Sequence, residues 1–373
     1  MTAPRYRPFD GDEWLGRDLP LAEGTFRVLP ETAFEVAQEM AFARQGRKAR
    51  VFKLRGPDGA PYALKTFYRG FSLPEYAPIT RALPAFGDIR GLRACRRRLI
   101  TADEADALGE PGLVNAVLMP WIEGVAWAGV VESRFPLEEA TCLSLAQQTA
   151  ATLAAMEARR LTHADVSSSN VLVTVGPAVE FIDVEDMYHD SFGPLPYVPD
   201  GSPGYAHPAN QGRGCRNEFG DRFAAAILLT EMLVWPDPSV RRSAGDVSLF
   251  EQAALGRRGL LHDLVVAVLR TRSAEAADLF ERAWHSTGLE ECPALHEWAA
   301  VVEPLAPGGL AVGVLAPVTC PGCGREVIPG HRTARHATRC PLRPASTVPL
   351  QADRSTFPGV PGYDGIGFVP LFD

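Results

Sequence analysis

The feature that most constrains the fold is a change of hydrophobic pattern along the chain. Short strand-like segments separated by turn residues occupy residues 34–41, 49–54 and 61–67, and they predict an antiparallel meander. Between residues 221 and 300, apolar residues instead recur at helical spacing. A chain with strands first and helices second is expected to form an α+β fold with two lobes and a crevice between them.

The segment from residue 137 to residue 160 predicts a long helix. Small or apolar residues recur there at helical spacing, between acids in the first turn and arginines in the last. The segment leads directly into the loop HADVSSSN, residues 163–170, and two strand-like segments follow. A loop between a helix and a strand can present Asp165 and Asn170 to the same cleft, so we expect a functional site here.

Composition and charge argue against several classes of protein. Of the 373 residues, 46% are hydrophobic and 22% are charged, a balance typical of a globular protein. The formal net charge of -8 argues against a surface adapted as a whole to nucleic acid. The first residues lack the pattern of a secretory signal, and nowhere do about 18 apolar residues run together. We therefore expect a cytoplasmic protein without a membrane-spanning segment.

Four residues supply the groups that phosphoryl transfer requires. The reaction needs a cation on the phosphates, oxygen ligands for magnesium and a carboxylate aimed at the incoming hydroxyl. Lys65 closes the third strand of the meander, Asp165 and Asn170 belong to the loop, and Asp183 ends a following strand. Each residue alone is more often a solvated charge or an ordinary loop residue. The interpretation therefore depends on the ordered set.

The ordered set resembles the protein-kinase-like family over roughly residues 31–300. His163, Asp165 and Asn170 match the family's H-x-D-x4-N loop. Lys65 matches its A-x-K strand, and Asp183 matches the aspartate of its D-F-G. The resemblance implies a bilobal α+β fold with an antiparallel β N-lobe and a helical C-lobe. It also implies ATP and Mg²⁺ as cofactors.

Three further segments strengthen the resemblance. LMPWIEG, residues 118–124, looks like the hinge that contacts adenine, which implies Met119 and Trp121 as nucleotide contacts. GSPGYAHP, residues 201–208, resembles the end of an activation segment, and Asp221 resembles the buried aspartate that steadies the catalytic loop. Residue by residue, the family's roles make Asp165 the catalytic base and Lys65 the phosphate-binding cation. They make Asn170 and Asp183 the magnesium ligands, while His163 is expected to be structural.

The chain also departs from the family's pattern. The nucleotide-covering loop offers only Gly46, and Arg47 and Lys48 are expected to compensate electrostatically. The helix after Lys65 has no clear glutamate, since Glu75 is the only acid near its start, so no partner for Lys65 is identified. These departures leave open the alternative that the chain is a pseudokinase. Such a protein would act as a scaffold or sensor and would bind nucleotide or no ligand.

Two segments favour different substrates. Asp-Val-Glu-Asp, residues 183–186, resembles the I-D-W-E of aminoglycoside phosphotransferases, whose substrates are small molecules. Ser167 stands where Ser/Thr kinases carry a lysine. Residues 201–208 instead resemble the G-T-x-x-Y-x-x-P segment that shapes a peptide-binding surface. The leading interpretation is a bacterial Ser/Thr protein kinase-like enzyme that acts on a protein substrate.

A second constellation lies near the end of the sequence. Its spacing, C-x2-C-x12-H-x3-C, is that of a structural zinc site, with His331 as a less well spaced substitute for the histidine; the four ligands are Cys320, Cys323, His336 and Cys340. Several arginines make this finger basic, so it can serve a partner protein or, less favoured, nucleic acid.

The sequence also predicts where the domains begin and end. An N-terminal arm is expected over residues 1–30, a kinase-like domain over 31–304 (N-lobe 31–123, C-lobe 124–304), a zinc finger over 314–344 and a flexible tail over 345–373.

Helical spacing is expected in residues 89–100. Their arginines are expected to form a solvated helix face, with contact to a phosphorylated activation segment as the alternative; they are Arg93, Arg96, Arg97 and Arg98.

Overall fold

A sheet followed by helices makes up the computed structural model of the chain. The structure describes residues 8–31, 40–71, 74–174, 178–197, 199–210, 212–305, 318–319 and 326–327. Over these residues the architecture is α+β, as the sequence predicted. The predicted strand at residues 34–41 lies almost wholly outside the described residues.

An antiparallel sheet dominates the first third of the chain. Over the described residues its strands are β1 (Asp18–Leu21), β2 (Gly24–Val28), β3 (Ala43–Gln45), β4 (Ala49–Arg55), β5 (Pro61–Phe67), β6 (Arg98–Leu99) and β7 (Val117–Pro120). They follow the order β1-β2-β4-β5-β7-β6, and β3 pairs with β4. β4 and β5 form the predicted meander, joined by the GPDG turn.

The two faces of this sheet have different neighbours. Phe52 and Leu54 of β4 and Leu64 of β5 belong to one buried apolar cluster, as the alternation of side chains along a strand requires. Lys65 points to the other face, where its cross-strand partners are Val51 and Val117. The second face borders the helical part of the chain, so it carries the candidate site.

The N-terminal segment differs from the expected surface arm. Residues 18–28 form the hairpin β1–β2 at the edge of the sheet, and β2 pairs with β4. Leu19 and Phe26 are fully buried, and so is Phe9 before the hairpin. Alternating burial along β1 and β2 supplies the apolar face that ties this hairpin to the sheet.

Helices fill the remainder of the described chain. They are α1 (Tyr76–Ala82), α2 (Ala102–Leu108), α3 (Trp127–Glu132), α4 (Glu139–Ala158), α5 (Arg222–Val234), α6 (Pro238–Ser243), α7 (Leu260–Arg272), α8 (Ala274–Trp284) and α9 (Leu295–Val302). The predicted long helix is α4, which packs on α5 and α9. Nearly every residue of α5 is buried, so it lies at the centre of the helical part. None of the helices in the described ranges is both long and apolar enough to cross a bilayer.

Two short sheets complete the fold. β8 (Val125–Ala126), β9 (Val171–Val173) and β10 (Val179–Phe181) pair in the order β10-β9-β8 and frame the HADVSSSN loop. Near the end, β11 (Val318–Thr319) pairs antiparallel with β12 (Glu326–Val327). The four predicted zinc ligands, Cys320, Cys323, His336 and Cys340, and the predicted tail lie outside the described residues.

The hairpin assignment can be tested by removing one aromatic side chain. Phe26→Ala empties a buried site in the apolar cluster of the sheet, so we expect the free energy of unfolding to fall by about 3–5 kcal/mol. Thr25→Ala, at the exposed neighbouring position, is the matched control. Urea unfolding of both variants measures the difference, and equal stabilities would show that this segment is an arm.

Candidate active site

Lys65 lies at the centre of the candidate site, between the sheet and the segment after β10. Its Nζ atom contacts Oδ1 of Asp183 and lies 2.7 Å from Oε2 of Glu185. The lysine is buried, whereas the Asp183 side chain is half-exposed. Burial alone would lower the pKa of Lys65, but the charges of Asp183 and Glu185 outweigh it and raise the pKa above its usual value. Lys65 is therefore a cation fixed between two carboxylates.

Glu185 is the acidic partner that the helix after Lys65 does not offer. Its second oxygen pairs with the guanidinium of Arg97, whose side chain is completely buried. Burial would raise the pKa of Glu185, but Lys65 and Arg97 hold it well below the usual range. The carboxylate is thus ionised between two cations, and it ties β5 to the segments before β6 and after β10.

The predicted solvated helix face of arginines is wrong. Residues 93–95 form one 3-10 turn, and β6 follows. Each arginine has a specific partner: Arg93 pairs with Glu180, Arg96 donates to the Gly87 carbonyl, Arg97 pairs with Glu185, and Arg98 pairs with Glu23 and Glu104. Arg97 is buried and the other three arginines are partly exposed, but each one is held by its own acceptor and they do not form one helix face.

Asp165 and Asn170 lie together, as the loop HADVSSSN predicted. The Asn170 side-chain amide donates to the Asp165 carbonyl and to Oδ2 of Asp165, both at 2.9 Å. The Ser202 hydroxyl donates to Oδ1 of Asp165 at 2.7 Å. Burial raises the pKa of Asp165 despite these donors. Since Asn170 uses its nitrogen here, its amide oxygen has no part in these bonds.

Buried contacts hold this loop in place. The backbone N–H groups of His163 and Ala164 donate to Asp221 at 2.6 and 2.9 Å. Nε2 of His163 lies 2.9 Å from the carbonyl of Ile182, next to Asp183. Ala164 and Asp183 both adopt left-handed backbone conformations, with φ of 63°, which are uncommon for residues other than glycine. The contacts therefore fix two strained positions beside the candidate site.

The two halves of the site are joined through backbone. The Ile182 N–H donates to the Asn170 carbonyl at 2.9 Å, so pairing between β9 and β10 sets Asp183 beside the loop. The charge of Asp183 also acts on Asp165 and raises its pKa. The contact of Lys65 with Asp183 and the pairing of β9 with β10 therefore bring Lys65, Asp165, Asn170 and Asp183 into one cluster.

Gly46 lies in the tight turn between β3 and β4, where its N–H donates to the Ala49 carbonyl at 2.8 Å. The neighbouring Lys48 reaches the segment after β10. Its Nζ atom lies 2.6 Å from Oδ2 of Asp186 and 3.1 Å from the Tyr197 hydroxyl. This bridge connects the hairpin to the segment beyond Asp183.

The predicted adenine contacts occupy different environments. Met119 pairs across strands with Ala63, and Val51 pairs with Lys65, so these residues share the Lys65 face of the sheet. They make an apolar wall beside the cation. Trp121 instead packs edge-on against Phe42, with ring centroids 5.4 Å apart, and its Nε1 donates to Glu123.

Sequence reasoning missed Glu185, Arg97 and Ser202. The acidic run at residues 183–186, directly after a buried strand, was the available signal for Glu185. Ser202 has the position of the threonine in G-T-x-x-Y-x-x-P. Arg97 carried no local signal.

Comparison with known proteins adds no assignment. No protein-family model matches the chain. No curated protein matches its sequence either. Function must therefore be argued from the site.

Residues 201–208 are anchored in the helical part through Tyr205. Its hydroxyl donates to Oε2 of Glu231 at 2.7 Å, and Trp127 donates to the same oxygen. Ser248 and the Leu249 N–H donate to Oε1. Burial outweighs these donors and raises the pKa of Glu231 to about 7.

Glu185→Gln tests the buried charge cluster. The variant keeps the side-chain shape but leaves Arg97 buried without an anion, so we expect the free energy of unfolding to fall by about 3–5 kcal/mol. Asp18→Asn breaks an exposed pair with Arg27 and should cost less than about 1 kcal/mol. Denaturant unfolding of both variants gives the comparison. Equal losses would contradict a stabilising role for Glu185.

Glu231 predicts a pH dependence of stability. Its pKa rises from 4.5 to about 7 on folding, so between these values the folded chain keeps a proton that the unfolded chain releases. The contribution of Glu231 to the free energy of unfolding is therefore complete below pH 4.5. It falls by roughly 3 kcal/mol as the pH rises to about 7. In Glu231→Gln this loss should vanish, as unfolding in urea at pH 5 and pH 8 would show.

The comparison between Glu231→Gln and wild type isolates one residue. Burial also raises the pKa of Asp221, to about 6, but Asp221 is present in both proteins and its contribution cancels. An identical pH profile in the two proteins would rule out the shifted pKa of Glu231.

Proposed function

We propose that the chain is an ATP- and Mg²⁺-dependent phosphotransferase with a protein-kinase-like bilobal fold. The observation that carries the proposal is the contact of Lys65 with Asp183 beside the Asp165–Asn170 pair. These are the cation, the hard oxygen ligands and the carboxylate that phosphoryl transfer requires.

The donor set fits the proposed cofactors. Asp183 is half-exposed, and the amide oxygen of Asn170 is left for a cation because its nitrogen binds Asp165. Carboxylate and amide oxygens suit Mg²⁺, which when bound neutralises charge on the phosphates. Lys65 would bind the phosphates, and the wall formed by Val51, Ala63 and Met119 would receive the adenine.

Asp165 acts as the base in this proposal. The acceptor hydroxyl loses its proton to the Asp165 carboxylate while its oxygen bonds to the γ-phosphorus, and the bond from that phosphorus to the departing ADP oxygen breaks. The raised pKa of Asp165 favours proton acceptance. Asn170 orients the carboxylate by its bond to Oδ2.

Ser202 favours a protein hydroxyl as the acceptor. Its own hydroxyl already donates to Oδ1 of Asp165, so a serine side chain on a polypeptide reaches the base. A small-molecule acceptor remains the alternative that residues 183–186 suggest.

We further propose that Cys320, Cys323, His336 and Cys340 bind a structural Zn²⁺. In support, β11 and β12 pair on either side of the first two cysteines, and this module would recruit a partner protein.

A nucleotide-binding scaffold without transfer is the second candidate. The turn between β3 and β4 favours it, because this turn offers only Gly46 and the N–H of Gly46 is already bonded to the Ala49 carbonyl. A backbone N–H used in this way does not bind phosphate.

Incubation with ATP labelled in the γ-phosphate, with Mg²⁺, tests transfer. We expect label in the protein or in free phosphate for wild type, and a rate at least about 100-fold lower for Asp165→Asn, which loses the base. Asp246→Asn, at an exposed position, is the control.

Equal rates in wild type and Asp165→Asn would overturn the assignment of the base. Thermal unfolding with Mg-ATP then separates the two candidates. Stabilisation without any turnover would establish the scaffold, and neither stabilisation nor turnover would exclude both.

A further inference from the structure

Two histidines and a glutamate meet at one end of the helix pair α7–α8, in a cluster separate from the candidate active site. His262 lies in the first turn of α7, Glu281 lies in the last turn of α8, and His285 directly follows α8. Among the described residues this is the group whose ligand atoms come close enough to share a metal ion, all within 4.8 Å of one another.

The separations suit a small cation. Nε2 of His262 lies 3.6 Å from Oε1 of Glu281, and Nε2 of His285 lies 3.1 Å from Oε2 of Glu281. Ligands about 2.0–2.1 Å from a tetrahedral zinc ion lie roughly 3.3 Å from one another. Both separations are close to this value, but they use the two different oxygens of the Glu281 carboxylate. One ligand atom from each residue lies within 4.8 Å of the others, and rotation of the half-exposed His285 side chain can shorten these separations.

The buried histidine is independently prepared as a ligand. The His262 side chain is only 3% exposed, yet its Nε2 atom has no hydrogen-bond partner. Nδ1 lies 3.0 Å from Oδ1 of Asp263, so the tautomer that donates from Nδ1 has an acceptor in this carboxylate. In that tautomer Nε2 presents a lone pair toward Glu281, and a carboxylate behind the ring is the usual second partner of a metal-binding histidine.

Aromatic packing fixes the direction of that lone pair. The His262 ring stacks on Phe280, with centroids 5.9 Å apart, and lies 5.0 Å from the centroid of Trp284. Phe250 packs on both of these aromatic rings. An unpaired polar atom in such surroundings is unfavourable, and a bound cation would supply the missing partner.

We propose that His262, Glu281 and His285 form a second metal site, specific for a divalent transition ion of the zinc class. Two imidazoles and one carboxylate are the donors that zinc accepts with a water in the fourth position. Magnesium and calcium prefer sites made of oxygen atoms. The site is independent of the proposed phosphotransfer and of the cysteine ligands.

Binding there would stabilise the corner between α7 and α8. His285 is followed by Ser286, whose hydroxyl lies 3.0 Å from Nε2 of His207 in the segment 201–208. The metal would therefore brace the helix end on which that segment rests. Its expected effect is on stability and not on chemistry.

The experiment uses the full chain with Cys320→Ser and Cys340→Ser, which remove the other predicted zinc site. We expect this metal-free protein to bind one equivalent of Zn²⁺ and to unfold at a higher temperature when Zn²⁺ is added. His285→Gln and Glu281→Gln in the same background should weaken binding at least about 10-fold and remove the thermal shift. Asp263→Ala should weaken it about 10- to 100-fold, because His262 loses its orienting carboxylate.

His296→Gln, on the exposed surface of α9, is the matched control and should bind Zn²⁺ like its parent. Melting curves without metal confirm that each variant folds. The proposal is overturned if the parent binds no Zn²⁺ at micromolar concentrations. Unchanged binding in both His285→Gln and Glu281→Gln would overturn it equally.

Discussion

A carboxylate held between two buried cations organises this molecule. Without Glu185, the guanidinium of Arg97 would be buried without an anion and Lys65 would keep only the half-exposed Asp183. Burial of unpaired charge is strongly unfavourable. With Glu185, three chain segments that are far apart in sequence meet at one point. Glu185 thereby fixes the positions of β5, the turn before β6 and the segment after β10 relative to one another. The position of Asp183 beside Lys65 follows from this arrangement.

The parts of the site that sequence reasoning predicted are those with local order. Asp165 and Asn170 are five residues apart in one loop, and β9 and β10, which follow the loop directly, carry Asp183 back beside it. Lys65 closes a strand whose hairpin partner is adjacent in sequence. The contact between Glu185 and Arg97 could not be predicted in this way. The two residues are 88 positions apart, and no repeating pattern in the sequence connects the segments that carry them.

The N-terminal hairpin shows a second limit. β1 has four residues and contains a proline, and charged residues flank it. Composition therefore favoured an irregular arm. The segment forms strands because β2 pairs with β4, which lies later in the chain. The sequence of the segment itself does not show that pairing partner. The local indication was the alternation of apolar residues, with Leu19 and Leu21 in β1 and Phe26 and Val28 in β2.

The bridge from Lys48 to Asp186 has a consequence for access to the crevice. The tip of the β3–β4 hairpin cannot lift away from the opposite wall without separating this partly exposed ion pair. Both side chains are largely buried, so dissolved salt screens this pair only weakly. The separation of two charges, and not the flexibility of glycines, therefore limits movement of the hairpin tip, and the turn has only Gly46.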